Sequence, residues 1–250
     1  MRAHAFRRRA WRAWGAALFA LILPLLVLPC AVRAAETVFL DERFESLERW
    51  QPLTFPKIPR HSTYTVARCE TGTCLLMESN NSASALVLKE PFNVYEYPML
   101  TWRWKVSNVY RKGDSGSKEG DDYPARLYVM FVYNPDRASL GKQLRYKLAK
   151  TVYGQYPPDS SISYIWDNQV TDKPFIINAY VDEARMIPVS AGAGMVNTWQ
   201  EYTVDIVRDY RMAFGEDPPA MASLAVMNDS DNTHEAASAW IQSIRLSRAP

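Results

Sequence analysis

Two short polar segments hold the residues best suited to chemistry. In residues 228–233, Asn-Asp-Ser-Asp-Asn-Thr, six consecutive side chains carry oxygen. Such side chains can surround a hard cation or the hydroxyl groups of a sugar, or they can form a tight loop by bonding to their own backbone. We expect Asp229, Asp231 and Asn232 to contact a ligand. A structural calcium ion, if one is bound, would lie at Asp229 and Asp231.

The second segment ends a loop rich in Gly, Ser and charge, and leads into a strand. It contains Asp121, Asp122 and Arg126. Adjacent carboxylates repel each other, so burial would raise one pKa enough for general acid chemistry. The alternative is a solvated acidic loop with a structural Asp–Arg pair. Asp209 is a further catalytic candidate, although an Asp209–Arg pair bridging a helix to the sheet would also explain it.

Familiar catalytic motifs are absent from the sequence. There is no Gly-x-Ser-x-Gly, no phosphate-binding glycine loop and no His-Glu-x-x-His, and only His61 and His234 lie beyond the N-terminal leader. The sequence therefore favours a binding protein over an enzyme. An enzyme of this composition would be a glycan hydrolase or lyase that uses a carboxylate pair.

Aromatic residues are plentiful and could stack against the C–H faces of sugars. Most Trp residues on alternating strands belong to a core, but two or three could form an exposed platform. The candidates are Trp102, Trp104, Tyr128, Trp166, Trp199 and Trp240. We assign the stacking surface to Trp102, Trp104 or Trp166.

The pattern of the chain is short apolar runs separated by Pro, Gly, Asp and Asn. Several runs alternate with period two; in residues 100–106, Trp102 and Trp104 share one face while Arg103 and Lys105 share the other. About a dozen such strands without strand–helix–strand repetition predict a mainly β fold. We expect an antiparallel β-sandwich of the jelly-roll type with one or two inserted short helices.

Two helices interrupt this pattern. Residues 139–153, within an insertion at about 138–153, place Leu at i, i+4 spacing among Lys and Arg. The simpler interpretation is a helix that caps the sandwich with its cations in solvent. The alternative is a docking site for an anionic glycan, a lipid headgroup or an acidic partner. A shorter helix is predicted from Val207 to Phe214, ending at Gly215.

The N-terminus indicates export. Residues 1–34 combine an Arg-rich start, a short apolar run and small residues before Ala35, which predicts a signal peptide cleaved after Ala34. Its removal takes away six Arg and changes the formal charge from +2 to −4, with 23 basic against 27 acidic residues. A basic nucleic-acid-binding face is therefore not expected. Residues 35–250 suit a single periplasmic or secreted domain without a transmembrane segment.

Cys69 and Cys74 are the two cysteines beyond the leader. They flank Glu-Thr-Gly-Thr between two candidate strands, which predicts a hairpin tip closed by a disulfide. A redox or metal pair is the alternative, but the spacing is not Cys-x-x-Cys and no His lies near.

Five ordered segments together resemble one bacterial family, the domain of unknown function 3047. They are residues 100–105 (LTWRWK), 120–126 (GDDYPAR), 164–166 (YIW), 209–215 (DYRMAFG) and 229–233 (DSDNT). The resemblance implies an exported β-sandwich similar to galactose-binding-like and carbohydrate-binding-module jelly rolls. It implies no activity.

The combined expectation is an exported protein that binds a carbohydrate or an envelope glycan without cleaving it. Asp121, Asp122, Arg126, Asp229 and Asp231 would supply the polar contacts. One alternative is the carboxylate-based glycan-active enzyme. The other is an envelope structural or assembly partner that docks through the basic helix.

Overall fold

The computed structural model describes residues 38–153 and 156–250, which form two β-sheets and two α-helices. The predicted signal peptide lies outside the described residues. The strands are β1 Val38–Glu42, β2 Trp50–Leu53, β3 Thr63–Arg68, β4 Thr73–Asn80, β5 Ala85–Leu88, β6 Phe92–Asn93, β7 Met99–Val106, β8 Arg126–Phe131, β9 Ser160–Asp167, β10 Ile176–Ile177, β11 Ala184–Ala191, β12 Gln200–Asp205, β13 Met221–Met227 and β14 Ala236–Ser247. The helices are α1 Leu140–Tyr153 and α2 Ile206–Phe214, and a 3-10 turn covers Pro135–Arg137.

The strands form a six-stranded and an eight-stranded sheet. The first has the order β12-β7-β14-β4-β3, with β1 also paired to β14. The second has the order β10-β11-β9-β8-β13-β5-β2, with β6 also paired to β13. The predicted antiparallel β-sandwich is confirmed, with one exception. Strands β9 and β11 run parallel, because the chain returns along the sheet edge between them.

Alternation along β7 explains how the sheets pack. Trp102 and Trp104 point between the sheets and are fully buried, whereas Arg103 and Lys105 point outward. The ring of Trp102 lies 5.0 Å from Tyr164 and that of Trp104 lies 6.5 Å from Trp166, both across the sandwich on β9. The core therefore contains an aromatic layer that joins the two sheets.

This layer corrects one sequence-based assignment. Trp102, Trp104 and Trp166 have no exposed surface, so their rings fill the core and are not a stacking surface for a ligand. The alternation of β7 already favoured a core position for Trp102 and Trp104, because Arg103 and Lys105 occupy the opposite face.

Helix α2 matches its prediction closely. The Asp205 side chain caps its first turn by accepting a hydrogen bond from the Arg208 backbone N–H at 3.0 Å. Gly215 ends it in the left-handed conformation, with φ of 74°. Both ends are thus encoded locally.

Helix α1 has the predicted extent but the opposite orientation from a simple capping helix. Its leucines at i, i+4 spacing are exposed, and Tyr146 is the side chain buried against the sandwich. The Tyr146 ring lies 4.3 Å from that of Tyr133, just beyond the end of β8. None of the helices in the described ranges is long and apolar enough to cross a bilayer.

Candidate functional site

One end of the sandwich collects most of the polar residues selected from the sequence. Arg126 begins β8 and lies opposite Met227, the last residue of β13, so the loop that follows β13 starts beside it. Arg126 Nε donates to Asp229 Oδ1 at 3.0 Å, and its terminal nitrogen donates to Asp229 Oδ2 at 2.5 Å. This two-point ion pair joins segments 103 residues apart in sequence.

The remaining donors of Arg126 are also engaged. The guanidinium donates to the Asp121 carbonyl oxygen at 2.5 Å and to the Tyr128 hydroxyl at 3.2 Å. The Asp121 carboxylate lies 3.5 Å away, and the Tyr123 ring stacks with its centroid 4.1 Å from the guanidinium carbon. Since Arg126 is almost completely buried, it acts as a structural clamp rather than as a cation open to a ligand.

Asp122 connects the same two loops by a different set of bonds. Its carboxylate accepts hydrogen bonds from the backbone N–H of Asn232 at 3.3 Å and of Thr233 at 2.5 Å. Its carbonyl oxygen accepts one from the Asn168 amide at 2.6 Å. The structural Asp–Arg pair expected within the 120–126 segment is present between Asp121 and Arg126, and Asp229 from the other loop is a second carboxylate partner of Arg126.

Asp231 and Asn232 lie at the more exposed edge of this network. The Asn232 amide donates to the Tyr180 hydroxyl at 2.7 Å and to the Lys118 carbonyl at 2.9 Å. Asp121 is held similarly, since its Oδ2 accepts from the Asn178 amide at 2.9 Å. We call Asp121, Asp122, Arg126, Asp229, Asp231 and Asn232 the rim network.

Three carboxylates of the rim network have the spacing of a metal site. One oxygen each from Asp122, Asp229 and Asp231 lies within 4.8 Å of the others. The sequence predicted Asp229 and Asp231 as calcium ligands, and Asp122 was missed as the third. Carboxylate oxygens suit a hard cation.

The local charge balance is negative, since four carboxylates surround the single guanidinium of Arg126. Burial raises the pKa of the Asp229 carboxyl well above its ordinary value, although Arg126 opposes this effect. Burial also raises the pKa of Asp231, and the neighbouring Asp122 adds to the rise. Protonation or a bound cation would relieve the repulsion.

Asp209 does not belong to the rim network. Asp209 lies on α2, which directly follows β12. The last residue of β12 is paired with Met99, the first residue of β7, so α2 lies at the end of the sandwich away from the rim network. The Asp209 carboxylate accepts hydrogen bonds from the Tyr164 hydroxyl at 3.1 Å and from Arg208 at 3.2 Å. Asp209 therefore ties the helix to the sheet.

A half-buried aromatic row lies on the outer face of the six-stranded sheet. Trp240 on β14 is paired with Lys105 on β7, and Trp199 directly precedes β12 on the other side of β7. The Lys105 ammonium lies 5.1 Å from the centroid of the Trp240 ring and 4.9 Å from that of Trp199. Arg103 also packs on Trp199, at 5.4 Å. We call Trp199, Lys105 and Trp240 the platform.

A polar groove of about 700 Å³ lies beside the platform. Glu78 on β4 lies opposite Ser238 on β14 on one side and opposite Thr63 on β3 on the other. Ser238 is two residues before Trp240 on β14, so this polar row lies on the same face as the platform and next to it. The lining of the groove consists of short polar side chains and a few charged ones: Arg60, His61, Thr63, Glu78, Ser79, Asn80, Ser82, Ser107, Asn108, Ala236, Ala237 and Ser238. The rim carboxylates do not line it.

The disulfide hairpin borders the same face. Cys69 and Cys74 are bonded as predicted. The tip between them places the Glu70 carboxylate 3.7 Å from the Lys105 ammonium. The Thr71 carbonyl accepts a hydrogen bond from Gln242 on β14 at 2.8 Å. The disulfide thus holds a short wall next to the platform.

Several solved structures are similar to this chain at low sequence identity. One is a solution structure of CtCBM11, with 10% identity and a TM-score of 0.40, covering 87% of this chain and 99% of that one. A second is the family 30 carbohydrate-binding module of the Clostridium thermocellum cellulosomal cellulase Cel9D-Cel44B, with 13% identity, a TM-score of 0.38 and coverage of 84% and 98%. A third is the Emp47p carbohydrate recognition domain, with 14% identity, a TM-score of 0.41 and coverage of 81% and 90%.

The sequence comparisons identify the family. No curated protein shows significant sequence similarity to the chain. The family model described as "Protein of unknown function (DUF3047)" matches residues 48–245, which include the rim network and all strands except β1 and the last two residues of β14. This chain therefore belongs to the DUF3047 family, as the five resembling segments indicated.

Proposed function

We propose that this protein binds carbohydrate on the outer face of the six-stranded sheet, without cleaving it. The observation that carries the proposal is the platform of two partly exposed Trp side chains beside a groove lined with hydroxyl, amide and carboxylate groups. Trp rings contact the C–H faces of sugars, and neighbouring polar groups fix the hydroxyls. The platform and the groove provide these two components next to each other.

The platform is suited to binding because its side chains are held in place before a ligand arrives. Lys105 lies against both rings and is itself paired with Glu70, so neither ring is a freely rotating surface side chain. Ordering fewer side chains on association reduces the entropic cost of binding.

The proposed site differs from the site selected from the sequence. The rim network is mostly buried and its groups are bonded to one another, so we assign it to holding the loops together. Trp199 and Trp240 were among the aromatic candidates but were not selected. Their position on the outer face depends on strand register, which a single sequence does not reveal.

Export is part of the proposal. A disulfide between Cys69 and Cys74 is typical of proteins that fold in an oxidising compartment. This agrees with the signal peptide inferred from residues 1–34. The expected ligand is therefore an envelope or extracellular polysaccharide.

The test is retention of the purified protein in affinity gels containing envelope and plant polysaccharides. We expect wild type to be retarded by at least one polymer, and Trp240→Ala and Trp199→Ala each to weaken binding about tenfold, or ~1.4 kcal/mol. Trp240→Phe is the matched control and should retain most of the affinity. Unchanged retention in both Ala variants, or no retention on any polymer, would overturn the proposal. Release of soluble oligosaccharides would contradict binding without cleavage.

A further inference from the structure

We propose that α1 is a membrane-docking helix that places its leucines in the headgroup region of an anionic lipid surface. The inference rests on three features of the helix: an exposed apolar stripe, a buried opposite face, and flanking positive charge. It is independent of the proposed carbohydrate site.

The apolar stripe consists of Leu140, Leu144 and Leu148. Their side chains are 83%, 62% and 63% exposed. Residues four apart advance about 40° around an α-helix, so the three lie nearly in line along one side. The helix of 14 residues thus presents a continuous apolar edge to solvent.

The opposite side fixes the helix to the sandwich. The Tyr146 hydroxyl donates to the Pro158 carbonyl at 2.8 Å, and the Lys142 ammonium lies 2.8 Å from the Asp159 carboxylate. Tyr146 is two residues from Leu144, which places it about 200° around the helix. The face of α1 opposite the leucines is therefore bonded to residues 158–159, and this contact leaves the leucines exposed to solvent.

Positive charge surrounds the stripe. Arg145, Lys147 and Lys150 are exposed, and α1 contains no acidic residue. Arg145 pairs with Glu183, whereas Lys147 has no carboxylate partner among the described residues. Leu on one face with Lys and Arg beside it is the pattern of helices that lie in a lipid interface, with long cationic side chains reaching the headgroups.

The surroundings favour a lipid surface over an acidic protein. Val132 and Met221, 45% and 39% exposed, are joined by a backbone hydrogen bond where β8 ends and β13 begins, at the same end of the sandwich as α1. The rim network and its excess carboxylates lie at the other end, where β8 starts. The carboxylates that contact α1, Asp159 and Glu183, are each paired with a cation of the helix, which leaves Lys147 and Lys150 to face an anionic surface.

The experiment is sedimentation with phosphatidylcholine vesicles, with or without phosphatidylglycerol. The protein is produced from the full chain, and its N-terminus is determined by mass spectrometry. All variants share that N-terminus, so a contribution from it cancels. The variants are Leu144→Gln with Leu148→Gln, and Lys147→Glu with Lys150→Glu. Val170→Gln is the control, because Val170 is 85% exposed but lies outside α1.

We expect wild type and the Val170 variant to bind vesicles containing phosphatidylglycerol, and each α1 double variant to bind at least tenfold more weakly. The altered side chains are exposed, so thermal unfolding should remain at the wild-type temperature. Absence of wild-type binding, or binding unaffected by the leucine substitutions, would overturn the proposal. Equal binding to vesicles without phosphatidylglycerol would also overturn it. A protein complex that requires the leucines, without vesicle binding, would show that α1 docks on a protein instead.

Discussion

Arg126 and Asp229 form a buried two-point ion pair that joins the first residue of β8 to the loop after β13. The pair lies among further carboxylates from Asp121 and Asp122, so Arg126 is the one buried cation that balances them. Arg126 therefore supplies the charged link between these loops, beside the hydrogen bonds that Asp122 accepts from the backbone of Asn232 and Thr233.

Removing the cation should cost more than removing one carboxylate. We expect Arg126→Met to destabilise the fold by about 3–5 kcal/mol, since it leaves several buried carboxylates without a partner. Asp229→Asn should cost less, because Arg126 keeps Asp121 and the amide can still accept a hydrogen bond. Urea unfolding of both variants measures the difference, and a greater loss in Asp229→Asn would contradict this account.

Asp231 should make stability depend on pH. Burial and Asp122 raise its pKa in the folded protein, so the folded state holds a proton that the unfolded state has lost. This group therefore destabilises the fold at neutral pH, and the penalty disappears as the pH falls through the raised pKa toward the ordinary value. We expect Asp231→Asn to gain roughly 0.5–1 kcal/mol at neutral pH, because the group is only partly buried.

Thermal unfolding of wild type and Asp231→Asn in EDTA, from neutral to acidic pH, measures this effect. The curves should converge at low pH. A gain that grows toward acidic pH would contradict the sign. A calcium-dependent rise in the wild-type unfolding temperature that Asp231→Asn loses would show that the three carboxylates hold a cation.

The disulfide was predictable from sequence and the members of the rim network were selected from it, whereas neither the meeting of the two polar segments nor the proposed binding face was predictable. Asp122 shortly precedes the strand β8, and Asp229 shortly follows the strand β13. The loops that join neighbouring strand ends lie together at one rim of a sandwich. The buried face of β7 follows from its local alternation, but the side chains that lie beside Lys105 on the outer face are set by pairing with β14 and β12, which is not encoded locally. The orientation of helix α1 was also not predictable from sequence. The i, i+4 spacing of its leucines correctly predicted a helix, but the leucines face solvent because Tyr146 is the side chain that packs against the sandwich.

Local strand signals also have limits at the sheet edges. Strands β2 and β6 carry no clear local strand pattern, since each is short and held by its partner strand. Residues 175–181 have a strand-like apolar composition, but only Ile176–Ile177 pairs, because the Asn178 side chain accepts hydrogen bonds from the backbone N–H groups of Tyr180 and Val181.

Gly215 provides a test of backbone conformation alone. Its φ of 74° disfavours a side chain, and a Cβ added there would meet no atom within 4 Å. Gly215→Ala should therefore destabilise the protein by about 1 kcal/mol through strain without a clash. Urea unfolding checks it, and a neutral or stabilising effect would contradict the role of Gly215 as the α2 terminator.

The Cys69–Cys74 disulfide should stabilise the fold modestly and order the wall beside the platform. Replacing both cysteines by Ser should cost about 2 kcal/mol, because the closed loop is short. The variant should remain folded, but the contacts of Glu70 and Thr71 with Lys105 and Gln242 should loosen. Urea unfolding measures the first effect, and hydrogen exchange across residues 68–74 measures the second. Unchanged exchange would contradict the positioning role.

The central claim is that carbohydrate binds on the platform, and hydroxyl-radical footprinting tests it most directly. The protein is oxidised with and without a polysaccharide that retards it, and each Trp is quantified by mass spectrometry. We predict protection of Trp199 and Trp240, with Trp102, Trp104 and Trp166 unreactive in both states because they are buried. Unchanged oxidation of Trp199 and Trp240 in the presence of a bound polysaccharide, or protection confined to the rim network, would contradict the claim.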